Sequence, residues 1–198
     1  MDSSSKVVYL TFDDGPIPEA TPFVLDTLAR YGIRATFFMV GDNVRKHPDV
    51  FAQVVRAGHR IGNHTFNHIG GFRWTSSDYL ANSEKARDII EAETQRILSS
   101  GQPHDEPLLF RPPHGWMRTV QYRTLRKMGY HIIMWDLVTR DYSRRLTAAD
   151  VVANVKRYAR NGSIITFHDS LRSIDKLHTA LPESIEWLQS QGYSFGLL

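Results

Sequence analysis

Five short stretches carry side chains that could do chemistry together: Asp13 and Asp14, His64 and His68, Arg111 and His114, Asp136 and Asp141, and His168 and Asp169. Asp13-Asp14-Gly15-Pro16 reads alone as a turn, because turns prefer Asp, Gly and Pro. Two adjacent carboxylates after an apolar run also repel each other, and a bound cation would relieve that repulsion. His64-Thr65-Phe66-Asn67-His68 spaces two imidazoles at i and i+4, which predicts one face of a helical turn and suits two ligands of one metal. Two histidines and one carboxylate with open coordination positions form a catalytic pattern for zinc or another first-row divalent ion. Ile164, Thr166 and His168 alternate along an apolar run and face one side. His168 is then either an ordinary strand-end histidine or a general acid. The acid role needs a carboxylate to raise its pKa and fix its tautomer, and Asp141 is the candidate. Arg111, between an apolar run and two prolines, is either a surface residue or a guanidinium that holds a catalytic carboxylate by a bidentate pair.

These stretches come together only if the elements around them are ordered correctly. Short apolar runs alternate with longer amphipathic ones along the chain. Strands are expected at 7–12, 35–40, 59–63, 108–110, 131–135, 163–167 and 193–195. Helices are expected at 21–31, 49–56, 78–98, 120–128, 147–160 and 175–190. Pro22 and Pro48 suit first helical turns, and Thr147 with Asp150 matches a capping box. Strands separated by helices imply right-handed crossovers and a parallel sheet. About seven such units in 198 residues point to a small α/β barrel of one domain, with a doubly wound open sheet as the fallback. Each polar stretch follows a predicted strand, and in a parallel barrel the C-terminal strand ends share the face where active sites are built.

Composition removes other classes. Hydrophobic residues are 41% and charged residues 23% of the chain, which is ordinary for a globular protein. There are no cysteines, so disulfides, thiolate metal sites and a cysteine nucleophile are excluded. Lys and Arg exceed Asp and Glu by 24 to 21 and are scattered, which argues against a nucleic-acid surface. No apolar run reaches the length of a membrane span, and the opening residues lack an apolar h-region. The expectation is a soluble monomer whose compartment stays open: cytoplasmic, or exported if a longer natural N-terminus precedes this chain.

With these residues together, the sequence resembles the polysaccharide deacetylase family, the chitooligosaccharide-deacetylase-like carbohydrate esterases. Five motifs appear in family order: Thr11-Phe12-Asp13-Asp14-Gly15-Pro16, His64-Thr65-Phe66-Asn67-His68, Arg111-Pro112-Pro113-His114-Gly115, the stretch from Trp135 to Tyr142, and that from Ile164 to Asp169. The resemblance implies a distorted seven-stranded parallel β/α barrel as a single catalytic domain over 7–198, after a flexible N-terminus at 1–6. It implies that Asp14, His64 and His68 bind one divalent metal ion, zinc foremost, with Co, Ni and Mn as alternatives. Asp13 would be the general base, His168 the general acid, Arg111 the residue that orients Asp13, and Asp141 the one that tunes His168. His114, Pro113, Tyr142, Thr166 and Trp135 would border the substrate, with a backbone N–H near His114 binding the oxyanion. The implied partner is an acetylated oligo- or polysaccharide, and the implied reaction is hydrolysis of N-acetyl groups on GlcNAc-containing glycans such as peptidoglycan or chitin oligomers. An O-deacetylase and a catalytically silent carbohydrate-binding fold are the alternatives. The sequence departs from the family at Val138, where an Asp is usual, at Tyr142 for Trp, at Thr166 for an aliphatic residue, and at His114 for a common Tyr. None of these removes a metal ligand, the base or the acid.

Overall fold

The computed structural model describes residues 6–98 and 107–198. Its elements in chain order are β1 (Lys6–Asp13), α1 (Thr21–Arg30), β2 (Thr36–Met39), α2 (Gly41–Lys46), α3 (Pro48–Arg56), β3 (Arg60–Asn63), α4 (Ser76–Leu98), β4 (Leu108–Phe110), α5 (Thr119–Lys127), β5 (Tyr130–Ile132), β6 (Leu137–Val138), α6 (Ala148–Tyr158), β7 (Ile164–His168), α7 (Ile174–Ser190) and β8 (Tyr193–Gly196). Seven strands run in the order β5-β4-β3-β2-β1-β7-β6, all parallel, and β8 adds to β1. The sheet curls into a half-barrel that stays open between β5 and β6. Lys6 is already in register with Tyr193, while residues 1–5 of the expected flexible N-terminus lie outside the described residues.

Alternation along β1 decides what faces the barrel. Val8, Leu10 and Phe12 are buried against the helices, and parallel register sets Phe12 beside Phe37 of β2 and Phe167 of β7. The Phe12 ring stacks on those two at centroid distances of 5.0 and 6.0 Å. This row belongs to one core that includes Leu25 and Leu28 of α1, Val151 and Val155 of α6, and Leu181 and Ile185 of α7. Burying each such side chain stabilises the fold by roughly 1.5–3 kcal/mol. With the even positions committed to the helices, Thr11 and Asp13 must face inward, in register with Thr166 and His168. A second cluster, Ile69, Tyr79, Phe110, Leu125 and Tyr130, seats α4 and α5 on β4 and β5.

Two expectations are corrected here. The run 131–135 does not continue as one strand. β5 ends at Ile132, and a separate short β6, parallel to β7, covers Leu137–Val138. Asp136 therefore precedes a strand instead of following one. It binds Ile164 N–H at 2.7 Å and Arg160 at 3.2 Å, at the start of β7 and away from the end that carries His168. The single helix expected before Gly58 is preceded by a short α2, which the alternation of apolar residues did not signal.

Candidate active site

The site forms where β1, β3, β4, β6 and β7 end. The five non-glycine residues with positive φ among those described, Asp14, Thr65, His68, His114 and Arg140, all lie in loops after these strands. Such conformations cost of order 1–3 kcal/mol each and persist where surrounding contacts dictate them. Asp14 has φ 84°, and Asn43 Nδ2 donates to its carbonyl at 2.8 Å. Residues 64–68 are not the helical turn that the spacing predicts. Asn63 Oδ1 takes the Thr65 N–H at 2.8 Å, and Asn82 Oδ1 of α4 takes those of Phe66 and Asn67 at 2.9 and 3.0 Å. These side chains outcompete the helical hydrogen-bond ladder. The two imidazoles meet through the loop instead, with ring centroids 5.1 Å apart.

Asp14, His64 and His68 present ligand atoms that all lie within 4.8 Å of one another. Asp14 Oδ1 is 3.7 Å from His64 Nε2 and 3.2 Å from His68 Nε2, yet it is buried and makes no hydrogen bond. Burial alone would raise the Asp14 pKa, but His68, His168 and His64 outweigh it and hold the carboxyl well below its usual range. His64 Nδ1 lies 2.7 Å from the carbonyl oxygen of Arg111. A carbonyl can only accept, so Nδ1 carries the proton and Nε2 keeps its lone pair. Burial pushes the His64 pKa down to about 4, so the ring is neutral at physiological pH. A carboxylate oxygen with no donor and a fixed, neutral imidazole fit a divalent cation.

Asp13 sits beside this cluster. Arg111, fully buried, donates from Nη1 to Asp13 Oδ1 at 2.6 Å and to Thr11 Oγ1 at 2.8 Å. Its other N–H groups go to the carbonyls of Ile133 at 3.3 Å and Met134 at 3.1 Å. The contact is therefore not bidentate, and Asp13 Oδ2 is left 4.0 Å from His64 Nε2. The Arg111 plane also covers the Phe38 ring at 4.0 Å. Thr11 is a site residue that the sequence reading passed over. Its position two before Asp13 on an alternating strand was the available signal. Thr166 is buried, and its hydroxyl lies 3.1 Å from Thr11 Oγ1, so it feeds the Arg111 network and is not an exposed polar group of the cleft.

His168 Nδ1 lies 2.8 Å from Asp141 Oδ1, and Asp141 Oδ2 accepts the His168 N–H at 2.7 Å. Asp141 also accepts the Tyr142 N–H at 3.0 Å, and Lys176 Nζ caps its carbonyl at 2.7 Å. Burial works to lower the His168 pKa, but Asp141, helped by Asp14 and Asp13, raises it to about 9. The imidazolium is thus the resting form at neutral pH, with its Nδ1–H donated to Asp141 Oδ1. Because the folded value is raised above the ordinary one near 6.5, the stabilisation is complete below about pH 6.5 and is lost as pH rises towards 9. Asp141→Asn is expected to bring the His168 titration, followed by imidazole NMR, down by on the order of 2 units. An unmoved titration would show that Asp141 does not set it.

Asp169 had no assigned role. It is fully buried and accepts the Gly15 N–H at 3.1 Å and the Thr21 hydroxyl at 2.6 Å, which ties the loop after β1 to the end of β7. Burial raises its pKa to about 8. A Cβ at Gly15 would overlap this carboxyl. Gly15→Ala is expected to cost about 1–3 kcal/mol in thermal denaturation, as overpacking does, and to disturb Asp14 next to it.

A cleft of 540 Å3 is lined by Asp14, His68, His114, Ser170, Leu171 and Arg172, among others; of the remaining predicted residues His114 lines it, and Pro113, Tyr142 and Trp135 do not. His114 packs edge-on to His68 with centroids 4.8 Å apart, and Tyr142, exposed, packs edge-on to His168 at 4.8 Å. Pro113 is buried, and Trp135 lies 5.7 Å from the Arg111 guanidinium. A larger cavity of 630 Å3 lies between α4 and the strands β3 and β4 and contains none of the clustered ligands.

Comparison with known proteins agrees with this fold. The family model described as polysaccharide deacetylase matches residues 1–133. The chain is 34% identical to a peptidoglycan-N-acetylglucosamine deacetylase of Bacillus cereus, over 98% of this chain and 86% of that protein. It superposes with a TM-score of 0.87 and 30% identity on the Bc1960 peptidoglycan N-acetylglucosamine deacetylase bound to a naphthalenyl N-oxidanyl-benzamide, covering 98% of this chain and 87% of that one. It also matches BA3943 of Bacillus anthracis, described as a CE4 family pseudoenzyme, with a TM-score of 0.83 and 26% identity over 98% of this chain and 64% of that one. By sequence over most of its length and by fold, the chain belongs to the polysaccharide deacetylase family of carbohydrate-active enzymes.

Proposed function

We propose that this chain hydrolyses N-acetyl groups on a GlcNAc-containing glycan, with one divalent cation held by Asp14, His64 and His68. The observation that carries this reading is the buried Asp14 Oδ1, which has no hydrogen-bond donor and faces two imidazole nitrogens. When bound, the cation supplies Lewis acidity towards an amide carbonyl and makes water more acidic. Zinc is the foremost candidate for this ligand set.

The chain's own groups divide the proton work. Arg111 occupies Asp13 Oδ1 and leaves Oδ2 to take a proton from the attacking water. Gly115 N–H is engaged by Pro112 O at 2.9 Å, so the backbone donor assigned to the developing oxyanion is that of His114. His168 arrives protonated and, with Nδ1 committed to Asp141, donates from Nε2 to the departing amine nitrogen. The C–N bond breaks, and acetate and a free amino sugar leave. No covalent enzyme intermediate is required.

The catalytically silent alternative is not favoured, because the residues proposed as base, acid and ligands are all present and gathered at one end of the sheet. Acetate release from chitooligosaccharides and from peptidoglycan, set against acetylated xylan, tests the substrate class. Release from the N-acetylated glycans after a divalent cation is restored to chelated enzyme is the expected result. Release from xylan alone would make the chain an O-deacetylase.

A further inference from the structure

Asp14 and the two histidines come from loops on strands that are not neighbours. β2 lies between β1 and β3 in the sheet, and the chain leaves it directly into the short α2. The stretch 40–43 therefore bridges the loop that carries Asp14 and the loop that carries His64 and His68. Val40 N–H donates to Gly15 O at 2.9 Å, and Asn43 Nδ2 donates to Asp14 O at 2.8 Å. On the other side, Gly41 N–H donates to Thr65 O at 3.0 Å, and Asp42 N–H to Phe66 O at 2.9 Å.

The first N–H groups of a helix lack intrahelical partners, and α2 commits two of its own to the loop after β3. So close an approach needs glycine at position 41, because a Cβ there would come within 2.8 Å of Ala86 Cα on α4 and 2.9 Å of the Phe66 ring. Val44, fully buried, anchors α2 in the main core. The bridged loops are strained: Asp14, Thr65 and His68 have φ of 84°, 63° and 54°, a conformation that residues with a Cβ keep only under constraint. At the Asp14 carbonyl that constraint is the Asn43 amide. The contacts of Val40, Gly41 and Asp42 are made by backbone groups, whereas that of Asn43 is made by its side chain, so a substitution can remove it.

We infer that Asn43 is a positioning residue for the proposed cation, which acts through the Asp14 carbonyl to hold the Asp14 carboxylate 3.7 Å from His64 Nε2 and 3.2 Å from His68 Nε2. This rests on the reading of Asp14, His64 and His68 as ligands. A binding constellation works when its members are held within about 0.5 Å of the productive geometry. Without the Asn43 amide, Asp14 is free to leave its left-handed conformation, and part of the binding energy goes into restoring it. Asn43 also borders the cleft, but a contact with the glycan would leave cation affinity unchanged.

The test measures the zinc dissociation constant of the full chain by competition with a chelator at neutral pH, with no glycan present. Asn43→Leu keeps the approximate size of the side chain and removes the donor, and Asn43→Ala removes both. Each is expected to bind zinc about 10- to 100-fold more weakly than the parent, the usual cost of losing a group that orients a ligand. Val44→Ala loosens α2 in the core and spares the bridging hydrogen bonds. It is expected to lower the midpoint of thermal unfolding and leave the zinc constant unchanged. Parent-like zinc affinity in both Asn43 variants would overturn the positioning role, whatever happens to acetate release. An equal loss of affinity in Val44→Ala, or failure of both Asn43 variants to fold by circular dichroism, would make the contact merely structural and overturn it as well. If the parent itself binds no zinc, the reading of the three ligands fails, and the role of Asn43 falls with it.

Discussion

His64→Ala is expected to abolish cation retention and acetate release together, with turnover down by on the order of 10³-fold or more. His64 is the proposed ligand whose state is best defined. Its Nδ1 proton is committed to the Arg111 carbonyl at 2.7 Å, its ring is buried, and its pKa, lowered to about 4 by burial, keeps Nε2 unprotonated at neutral pH. Removing the ring leaves Asp14 and His68, and His68 is partly exposed. Two ligands rarely hold a catalytic ion against exchange into solvent. The Arg111 carbonyl also loses its partner, so a modest loss of stability should accompany the loss of cation. Metal content after dialysis, by mass spectrometry, and acetate release should fall in the same variant. A variant that released its cation but kept its rate would separate the two and refute the link.

The second large effect is expected from Asp13→Asn, which should retain the cation and lose turnover by about 10²- to 10⁴-fold, the usual contribution of a general base. The amide oxygen can still accept from Arg111 Nη1, and none of the three ligands is altered. What changes is charge. Arg111 is fully buried, and Asp13 is its anionic partner at 2.6 Å. An uncompensated buried charge typically costs 3–5 kcal/mol when its partner is deleted outright, so Asp13→Asn, which keeps the hydrogen bond, should lose somewhat less than about 3 kcal/mol. Thermal denaturation, cation stoichiometry and acetate release on one preparation separate the effects. Full activity in this variant would show that another group takes the proton.

Much of this arrangement was legible in the sequence. Alternation over 164–168 put Thr166 and His168 on one face, and placing the polar groups after strands predicted their convergence on one mouth. Three features were not legible. Residues 64–68 have a helical spacing, but Asn63 and Asn82 capture the backbone donors, and Asn82 is 14 residues further along the chain. The apolar run 131–135 looked like one strand, because periodicity cannot show that one strand ends at Ile132 and another begins at Leu137, and this misplaced Asp136. Asp169 looked like a neighbour of the acid; its tie to Gly15 and Thr21 spans about 150 residues and exists only in the folded chain. The departures from the family pattern also read differently in three dimensions. Thr166 faces Thr11 and supports Arg111, while Val138 pairs in register with Thr166 on the neighbouring strand.

The most direct measurement is a titration of chelator-stripped enzyme with zinc, following bound metal and acetate release on the same samples. Both are expected to rise together and to level off at one cation per chain, with Asp14→Ala binding none in the same range. Full turnover in the stripped enzyme, or saturation at one equivalent in Asp14→Ala, would contradict a cation held at Asp14, His64 and His68.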